Sequence, residues 1–177
     1  PYTVQEPPTG ELPLGETPSA YFATRMMLRP SNKRTTAARH AGLGMDYYVQ
    51  ATSPLRRYMD LVVHQQLRAK LAGQAPLDSK MITTLIGSAA AGTRDVRFAE
   101  RLSNQHWTAV YLLRHPAWRG KGIVVDQRGQ RYKVLLPALG IETSLYSRQE
   151  LPLDSEVELE LRDVDLVNLE ANFREAS

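Results

Sequence analysis

The sequence predicts an α+β protein built from a mainly helical first part, residues 1–117, and a five-stranded β-barrel, residues 118–177. Apolar residues recur at helical spacing between residues 54 and 114, and the spacing changes to two after Trp118. The charge changes at the same point: residues 1–117 hold 14 Lys and Arg against 8 Asp and Glu, whereas residues 118–177 hold 8 against 11. The two parts therefore differ in secondary structure and in the sign of their net charge.

Composition excludes several classes of protein. The 177 residues, 42% of them hydrophobic, are enough for one good core or two modest ones. Without cysteine the chain has no disulfide and no thiolate metal site, which favours a reducing, cytoplasmic setting. No stretch approaches the roughly 18 consecutive apolar residues of a membrane span, so we expect no membrane association. Because the chain starts at Pro1 rather than Met, we expect a fragment of a longer protein.

Residues 1–19 are predicted to be an extended connector, because they contain five of the eleven prolines and two glycines. The secondary structure of residues 20–50 stays open, and the run Tyr47–Val49 fits either an interior strand or a turn. Basic residues crowd the region that follows the connector, as expected where a polyanion is held, although a solvated basic face is the commoner meaning of such charge. These residues are Arg25, Arg29, Lys33, Arg34, Arg39, Arg56 and Arg57.

A helix is predicted from Pro54 to Ala72. Ser53 stands where an N-cap would be, and Pro54 occupies the first helical position, where its missing N–H costs nothing. Gly73 and the proline that follows it supply the stop. The apolar stripe consists of Leu55, Met59, Val62, Val63 and Leu67.

Two further helices are predicted before the barrel. One begins near Asp78 and ends at a break formed by Gly92 and Thr93, and the next continues to Arg114, before His115 and a proline. The apolar face of the last helix includes Val96, Ala99, Trp107, Val110 and Tyr111. Glu100 falls on this apolar side and requires a partner, which an intramolecular arginine would supply as well as a ligand would.

Five strand-like runs predict a barrel of the OB type. The first two, 122–126 and 132–136, form a hairpin around Gly129, and the others cover about 140–147, 155–163 and 166–173. Tyr132, Tyr146 and Phe173 are candidate stacking platforms for bases, although such aromatic residues more often belong to the core. Because this part carries net negative charge, an RNA groove would need Arg128, Arg131 and Lys133 to cluster.

Arg56 and Arg57 are predicted in the first turn of the helix from Pro54, where the helix dipole disfavours positive charge. An anion bound at this end would explain them, because exposed N–H groups and guanidinium forks would then face one phosphate. The alternative is that both side chains extend into solvent. Arg56, Asp60 and His64 are spaced four apart, so Asp60 would hold Arg56 in one rotamer. The alternative is that Arg56 and Asp60 form a surface ion pair that contributes little to stability, and that His64 has only a structural role.

The segment around these residues resembles, without a gap, the RNB signature of the ribonuclease II/R family. The matching residues are His40, Gly42, Leu43, Met45, Tyr48, Thr52-Ser53-Pro54-Leu55-Arg56-Arg57-Tyr58, Asp60, Leu61 and His64. The segment Tyr2–Pro8 is similar to the family's R-V-H-E-P-P segment, and Ala99-Glu100-Arg101 is similar to its A-E-R helix. The sequence departs from the family at Gln50-Ala51, where many members have His-Phe, and at Ala41, where Phe is common.

This resemblance implies part of a hydrolytic 3′-to-5′ exoribonuclease that degrades single-stranded RNA to nucleoside 5′-monophosphates. It implies that Arg56 stabilises the scissile phosphate. It also implies an RNA-binding role for Arg39, His40, Tyr48, Ser53, Arg57, Tyr58 and Glu100, with Asp60 and His64 in support. Glu100 would grip the terminal nucleotide, and the terminal barrel would be the family's RNA-binding OB module.

The family's magnesium-binding aspartate cluster is absent from this sequence. Asp46, Asp60, Asp78 and Asp95 are too widely spread to converge on metal ions. We therefore expect the magnesium ligands on a missing N-terminal part of the protein, which would be a partner if it stays bound. Two alternatives remain: a non-catalytic RNA-binding module, and an inactive scaffold that keeps the fold but not the chemistry.

Overall fold

The computed structural model describes residues 1–13 and 15–176, which form two compact units. The first unit comprises Pro1–Glu11 and Leu28–Arg97, and the second comprises Leu12–Met27 and Phe98–Ser177. The helix that ends the first unit continues into the second. Within the described residues, no helix is long and apolar enough to cross a membrane.

The first unit begins with a short antiparallel strand pair. Strand β1, Tyr2–Val4, pairs with β2, Asn32–Arg34, so that Tyr2 lies opposite Arg34. The prediction that residues 1–19 lack regular structure was wrong at both ends, because β1 forms here and helix α1, Pro18–Met27, begins with a proline. The β-prone residues of β1 precede the proline cluster, and Thr3 and Val4 are buried.

Residues 40–50, which the sequence left open, form a turn and a loop rather than a strand. His40 makes single β-bridges to Gln5 and Met45, and a 3-10 turn covers Ala41–Leu43. Gly44 follows with φ of 64°, a left-handed conformation that glycine adopts without strain. The run Tyr47–Val49 lies in the loop that follows.

Helix α2, Tyr58–Leu71, begins four residues later than predicted. Ser53 does not act as a side-chain cap; its carbonyl accepts the N–H groups of Arg56 and Arg57 at 3.2 and 2.9 Å, so residues 53–57 form turns. The predicted apolar stripe is buried only in its middle. Met59, Val62 and Val63 are buried, whereas Leu55 and Leu67 are exposed.

Helix α3, Ser79–Arg114, is a single helix of 36 residues, so the predicted break at Gly92 was wrong. A glycine inside a helix costs only about 1 kcal/mol relative to alanine, and no proline accompanies it. The Thr93 hydroxyl donates to the Ala89 carbonyl at 2.7 Å and so stays within the helix. The predicted apolar face was also wrong in part, because Val96, Trp107 and Tyr111 are exposed while Ala109 and Leu112 are buried.

The second unit contains the predicted five-stranded antiparallel barrel. Its strands are β3, Arg119–Arg128; β4, Arg131–Leu136; β5, Ile141–Tyr146; β6, Glu156–Asp165; and β7, Glu170–Glu175, in the order β5-β4-β3-β6-β7. Strands β5 and β7 also approach each other, so the sheet nearly closes on itself. Its core consists of Leu112, Val124, Tyr132, Val134, Leu136, Leu145, Val157, Leu159 and Phe173. The alternating pattern of the sequence thus fills one continuous interior.

Helix α1 packs on this barrel through polar contacts. The Asp154 carboxylate accepts the Ser19 N–H at 2.7 Å and the Ser19 hydroxyl at 2.6 Å, so a barrel residue caps the first turn of the helix. These two hydrogen bonds lower the pKa of Asp154. At the other end of α1, Arg25 forms an ion pair with Glu142 at 2.5 Å.

Candidate functional site

The candidate site is built on the segment Tyr48–Ser53, which we call the site loop, and on the start of α2. The neighbouring elements hold this loop at almost every residue. The Thr3 N–H donates to the Tyr48 carbonyl at 2.8 Å, Lys33 Nζ to Gln50 Oε1 at 3.0 Å, and Arg57 Nη2 to Thr52 Oγ1 at 3.0 Å, while His64 Nε2 lies 2.8 Å from the Ala51 carbonyl oxygen. The loop that precedes α2 is therefore fixed by tertiary contacts.

Asp60 anchors the end of the site loop. Its side chain is fully buried, and its Oδ2 accepts the Ser53 N–H at 2.9 Å and Arg57 Nε at 2.9 Å, with Arg57 Nη2 at 2.7 Å. The prediction that Asp60 holds Arg56 was wrong. Because Asp60 points into the unit, it meets the arginine three residues before it rather than the one four residues before it.

Arg56 is consequently the arginine that stays available. Its side chain is exposed and makes no hydrogen bond or ion pair within the described part of the chain. It lies in the turn just before α2, close to the positive end of the helix dipole. A guanidinium fork in this position can bind a phosphate with two hydrogen bonds.

The other predicted site residues of the first unit lie around the same loop. His40 is buried and contacts Tyr48 edge to face, with ring centroids 5.3 Å apart. Arg39 is exposed, 4.0 Å from the Asp46 carboxylate, and Tyr58 is exposed at the first position of α2. The structure thus brings Arg39, His40, Tyr48, Ser53, Arg56, Arg57, Tyr58, Asp60 and His64 into one unit.

Glu100 lies in the other unit, on the part of α3 that continues from Arg97. Its side chain is exposed, although the apolar spacing places it on the apolar side of the helix. No arginine pairs with it in the described residues. Of the two partners that the sequence allows, an intramolecular arginine is therefore not observed, and a ligand for Glu100 stays a prediction.

Lys33 is a site residue that sequence reasoning missed. The sequence places it only in the basic segment, whereas in the structure its half-buried ammonium donates to Gln50 and also to Thr3 Oγ1 at 2.6 Å. Burial lowers the pKa of Lys33; the Asp60 carboxylate opposes this effect and the Arg57 guanidinium adds to it. Only the pairing of β1 with β2 places Lys33 beside the loop, and no local pattern signals that pairing.

No set of three or more His, Asp or Glu side chains in residues 1–13 and 15–176 could hold a metal ion. His64 faces a backbone carbonyl, and Asp60 is occupied by Arg57 and Ser53. The donor groups of this unit therefore do not fit a magnesium site.

The barrel separates the three candidate aromatic residues. Tyr132 and Phe173 are core residues, whereas Tyr146 is 62% exposed at the end of β5. Tyr146 lies opposite Arg131 in the strand register, and its hydroxyl donates to Gln130 Oε1. Two strand positions further along, Lys133 lies opposite Ser144, so two basic residues share the outer face with the exposed ring.

Comparison with known proteins agrees with this architecture. The family model for the RNB domain matches residues 16–73, and the model for the RNase II-type exonuclease C-terminal S1 domain matches residues 118–176. The chain belongs to the ribonuclease II/R family. An uncharacterized ribonuclease of Synechocystis is 30% identical over 86% of this chain and 24% of its own length. The chloroplastic/mitochondrial ribonuclease II of Arabidopsis thaliana is 30% identical over 71% of this chain and 14% of its own length.

Solved structures show the same fold. The Dss1 exoribonuclease of Candida glabrata matches with a TM-score of 0.72 at 16% identity, over 91% of this chain and 21% of that one. Mycoplasma genitalium RNase R, in complex with ribose methylated single-stranded RNA, matches with a TM-score of 0.67 at 15% identity, over 90% of this chain and 30% of that one. The ribonuclease II/R chain described here spans about a quarter or less of the curated relatives named above.

Proposed function

We propose that this chain is part of a hydrolytic 3′-to-5′ exoribonuclease that releases nucleoside 5′-monophosphates from single-stranded RNA. The observation that carries the proposal is the exposed Arg56 guanidinium, which has no protein partner in the described residues although its neighbour Arg57 is tied to Asp60. Family membership and the relatives named as ribonucleases support the same activity.

In this proposal Arg56 binds the scissile phosphate and stabilises the charge that develops during hydrolysis. A cationic group held beside the phosphate is effective in this role, because it stabilises the negative charge of the transition state. The turn formed by residues 53–57 fixes the backbone from which the Arg56 side chain projects, since the Arg56 N–H is bonded to the Ser53 carbonyl. The Asp60 carboxylate, which binds Arg57, holds the same turn through the Ser53 N–H.

The remaining residues of the site would contact RNA directly or shape the loop that contacts it. Arg39 and Tyr58 are exposed and offer a cation and an aromatic face, respectively. His40, Tyr48, Ser53 and Arg57 contribute mainly by shaping the loop, with His64 in support at the Ala51 carbonyl. Glu100 would grip the 3′-terminal nucleotide, because its exposed carboxylate can accept hydrogen bonds from ribose hydroxyl groups.

The barrel would bind single-stranded RNA upstream of the cleaved end. Exposed Tyr146 offers a stacking surface that does not depend on base identity, and Arg131 and Lys133 on the neighbouring strand offer charge for the phosphates. Stacking on one aromatic ring is worth about 1–3 kcal/mol per base. This contribution would compensate for the net negative charge of the barrel segment.

Magnesium would be supplied with its ligands from a part of the protein outside this sequence. The described residues contain no suitable carboxylate cluster, and the chain covers only 24% of its Synechocystis relative. An additional segment of the same protein would therefore complete the catalytic centre. The lack of cysteine is compatible with a reducing compartment such as the cytoplasm.

Cleavage of end-labelled RNA tests the proposal. We expect the full-length protein, with magnesium, to release mononucleotides from the 3′ end of single-stranded RNA, and Arg56→Ala to lower the single-turnover rate about 10²- to 10³-fold. The matched control is Arg68→Ala, which removes an exposed arginine from the last turn of the same helix. Equal rates for the Arg56→Ala and parent proteins would contradict the role of Arg56.

The second candidate function is a non-catalytic RNA-binding module, which the lack of metal ligands in the described residues favours. The same assay separates the two functions. A full-length protein that binds labelled RNA but never shortens it, with or without magnesium, would support the binding module and contradict the exoribonuclease.

A further inference from the structure

Two tethers connect the site loop to the β1–β2 strand pair, and three connect it to α2. The α2 tethers are the contacts of Arg57, Asp60 and His64 with Thr52, Ser53 and Ala51. The strand-pair tethers are the Thr3 N–H to the Tyr48 carbonyl and Lys33 Nζ to Gln50 Oε1. The loop is therefore held from two sides, and Lys33 provides the side-chain contact from the strand side.

Lys33 is also linked to β1 through the same ammonium group, which donates to the buried hydroxyl of Thr3 at 2.6 Å. One nitrogen atom thus connects the strand pair to the middle of the loop. The contact continues along the backbone to Ser53, whose carbonyl accepts the Arg56 N–H at 3.2 Å. Movement at Gln50 would be transmitted to Arg56 over this short segment.

We propose that Lys33 and Gln50 are positioning residues for the proposed hydrolysis, and that their hydrogen bond sets where the site loop holds Arg56. The inference rests on the proposed function, because it concerns the placement of the phosphate-binding arginine. Neither residue touches RNA in this role. Both act through the loop.

The energetics of Lys33 favour positioning over a purely structural role. Its half-buried ammonium is partly desolvated, which lowers its pKa, and desolvation costs stability that an uncharged side chain would not cost. In return it donates two hydrogen bonds from a charged group, to Thr3 Oγ1 at 2.6 Å and to Gln50 Oε1 at 3.0 Å, and bonds from a charged donor are stronger than neutral ones. The Lys33 ammonium therefore fixes the position of the Gln50 side chain, and the cost is its own partial desolvation.

The test uses single-turnover cleavage of 5′-labelled single-stranded RNA by the full-length protein with magnesium. Lys33→Met and Gln50→Met are each expected to lower the cleavage rate about 10- to 100-fold, because small misplacements of a catalytic group have effects of this size. The affinity for long RNA and the melting temperature are expected to stay near those of the parent. Lys80→Met, which removes an exposed lysine at the start of α3, is the matched control.

Combination variants show whether the two residues act together and through Arg56. The double variant Lys33→Met/Gln50→Met is expected to be no slower than the slower single variant, since each single change already removes the Lys33–Gln50 hydrogen bond. Gln50→Glu keeps an oxygen acceptor for Lys33 and is expected to restore most of the rate. In an Arg56→Ala background, Lys33→Met is expected to cause no further loss.

The results that would contradict the positioning role differ from those that would contradict the proposed function. Additive losses in the double variant, or an undiminished effect of Lys33→Met in the Arg56→Ala background, would overturn the positioning role. Loss of melting temperature in proportion to loss of rate would instead assign Lys33 to folding, and would overturn it as well. If the parent cleaves no RNA, the proposed function fails; if Arg56→Ala is slow and Lys33→Met is as fast as the parent, only this inference fails.

Discussion

At the scale of single residues, the site depends on which of the two adjacent arginines, Arg56 or Arg57, forms an ion pair within the protein. Arg57 is held by Asp60, so its charge is compensated within the protein. Arg56 is exposed and has no ion-pair partner in the described residues, which is why we propose that its charge serves RNA. The two residues are adjacent in sequence and chemically identical, and only the direction of the Asp60 side chain distinguishes them.

Replacement of Asp60 tests this division of roles. We expect Asp60→Ala to lower the free energy of unfolding by about 3–5 kcal/mol, because a partly buried guanidinium and the Ser53 N–H would lose their acceptor. Asp46→Ala, which removes an exposed carboxylate, is expected to change it by less than about 0.5 kcal/mol. Urea denaturation of both variants measures the difference, and equal stabilities would contradict the anchoring role of Asp60.

At the scale of elements, two glycines have opposite effects, one in the long helix α3 and one in the barrel strand β3. Gly92 lies in the interior of α3, where a Cβ atom would meet no other atom within 4 Å. Gly122 lies in β3, where a Cβ atom would lie 2.4 Å from Val134 Cγ1 and 3.3 Å from Leu136 and Leu159. Gly92 therefore only lowers the helix propensity of α3, whereas Gly122 permits close packing of the strands.

The two glycines therefore respond in opposite ways to the same substitution. We expect Gly92→Ala to raise the free energy of unfolding by up to about 1 kcal/mol, because alanine has the higher helix propensity. We expect Gly122→Ala to lower it by about 1–3 kcal/mol, because the added methyl group overpacks the barrel core. Thermal or urea denaturation gives both values. If Gly122→Ala does not lower the free energy of unfolding, the added methyl group does not overpack the barrel core.

At the scale of the whole molecule, the positions of the charged groups say more about their interactions than the net charge does. In the barrel, Glu160 binds Arg174 Nε at 2.8 Å and Arg119 Nη2 at 2.6 Å, and so joins three strands. These interactions, chiefly the hydrogen bond from Arg174, lower the pKa of Glu160 below its usual 4.5. Glu160, which is counted in the −3 charge of this segment, is thus already paired with two arginines.

The Glu160 pair makes stability depend on pH in a defined direction. Because the folded-state pKa is the lower one, the stabilisation is fully present above pH 4.5 and is lost as the pH falls through 4.5 toward the folded-state value. We expect Glu160→Gln to lower the melting temperature at pH 7 and to weaken its dependence on pH between 5 and 3. If parent and variant lose stability in parallel over that range, Glu160 is not the group responsible.

The fold class, the five strands and the family could be predicted from the sequence, because alternating apolar residues and an ungapped motif are local signals. The sequence also singled out Arg56. The structure was needed to show that α2 starts at Tyr58, that α3 is continuous and that Asp60 binds Arg57. It likewise placed Lys33 beside the site loop. Lys33 reaches the loop only because two strands that are some 30 residues apart in the chain pair with each other. The choice of Arg57 follows from the burial of the Asp60 carboxylate, which helical spacing alone does not specify. Helix α3 stays continuous because one glycine costs a helix only about 1 kcal/mol.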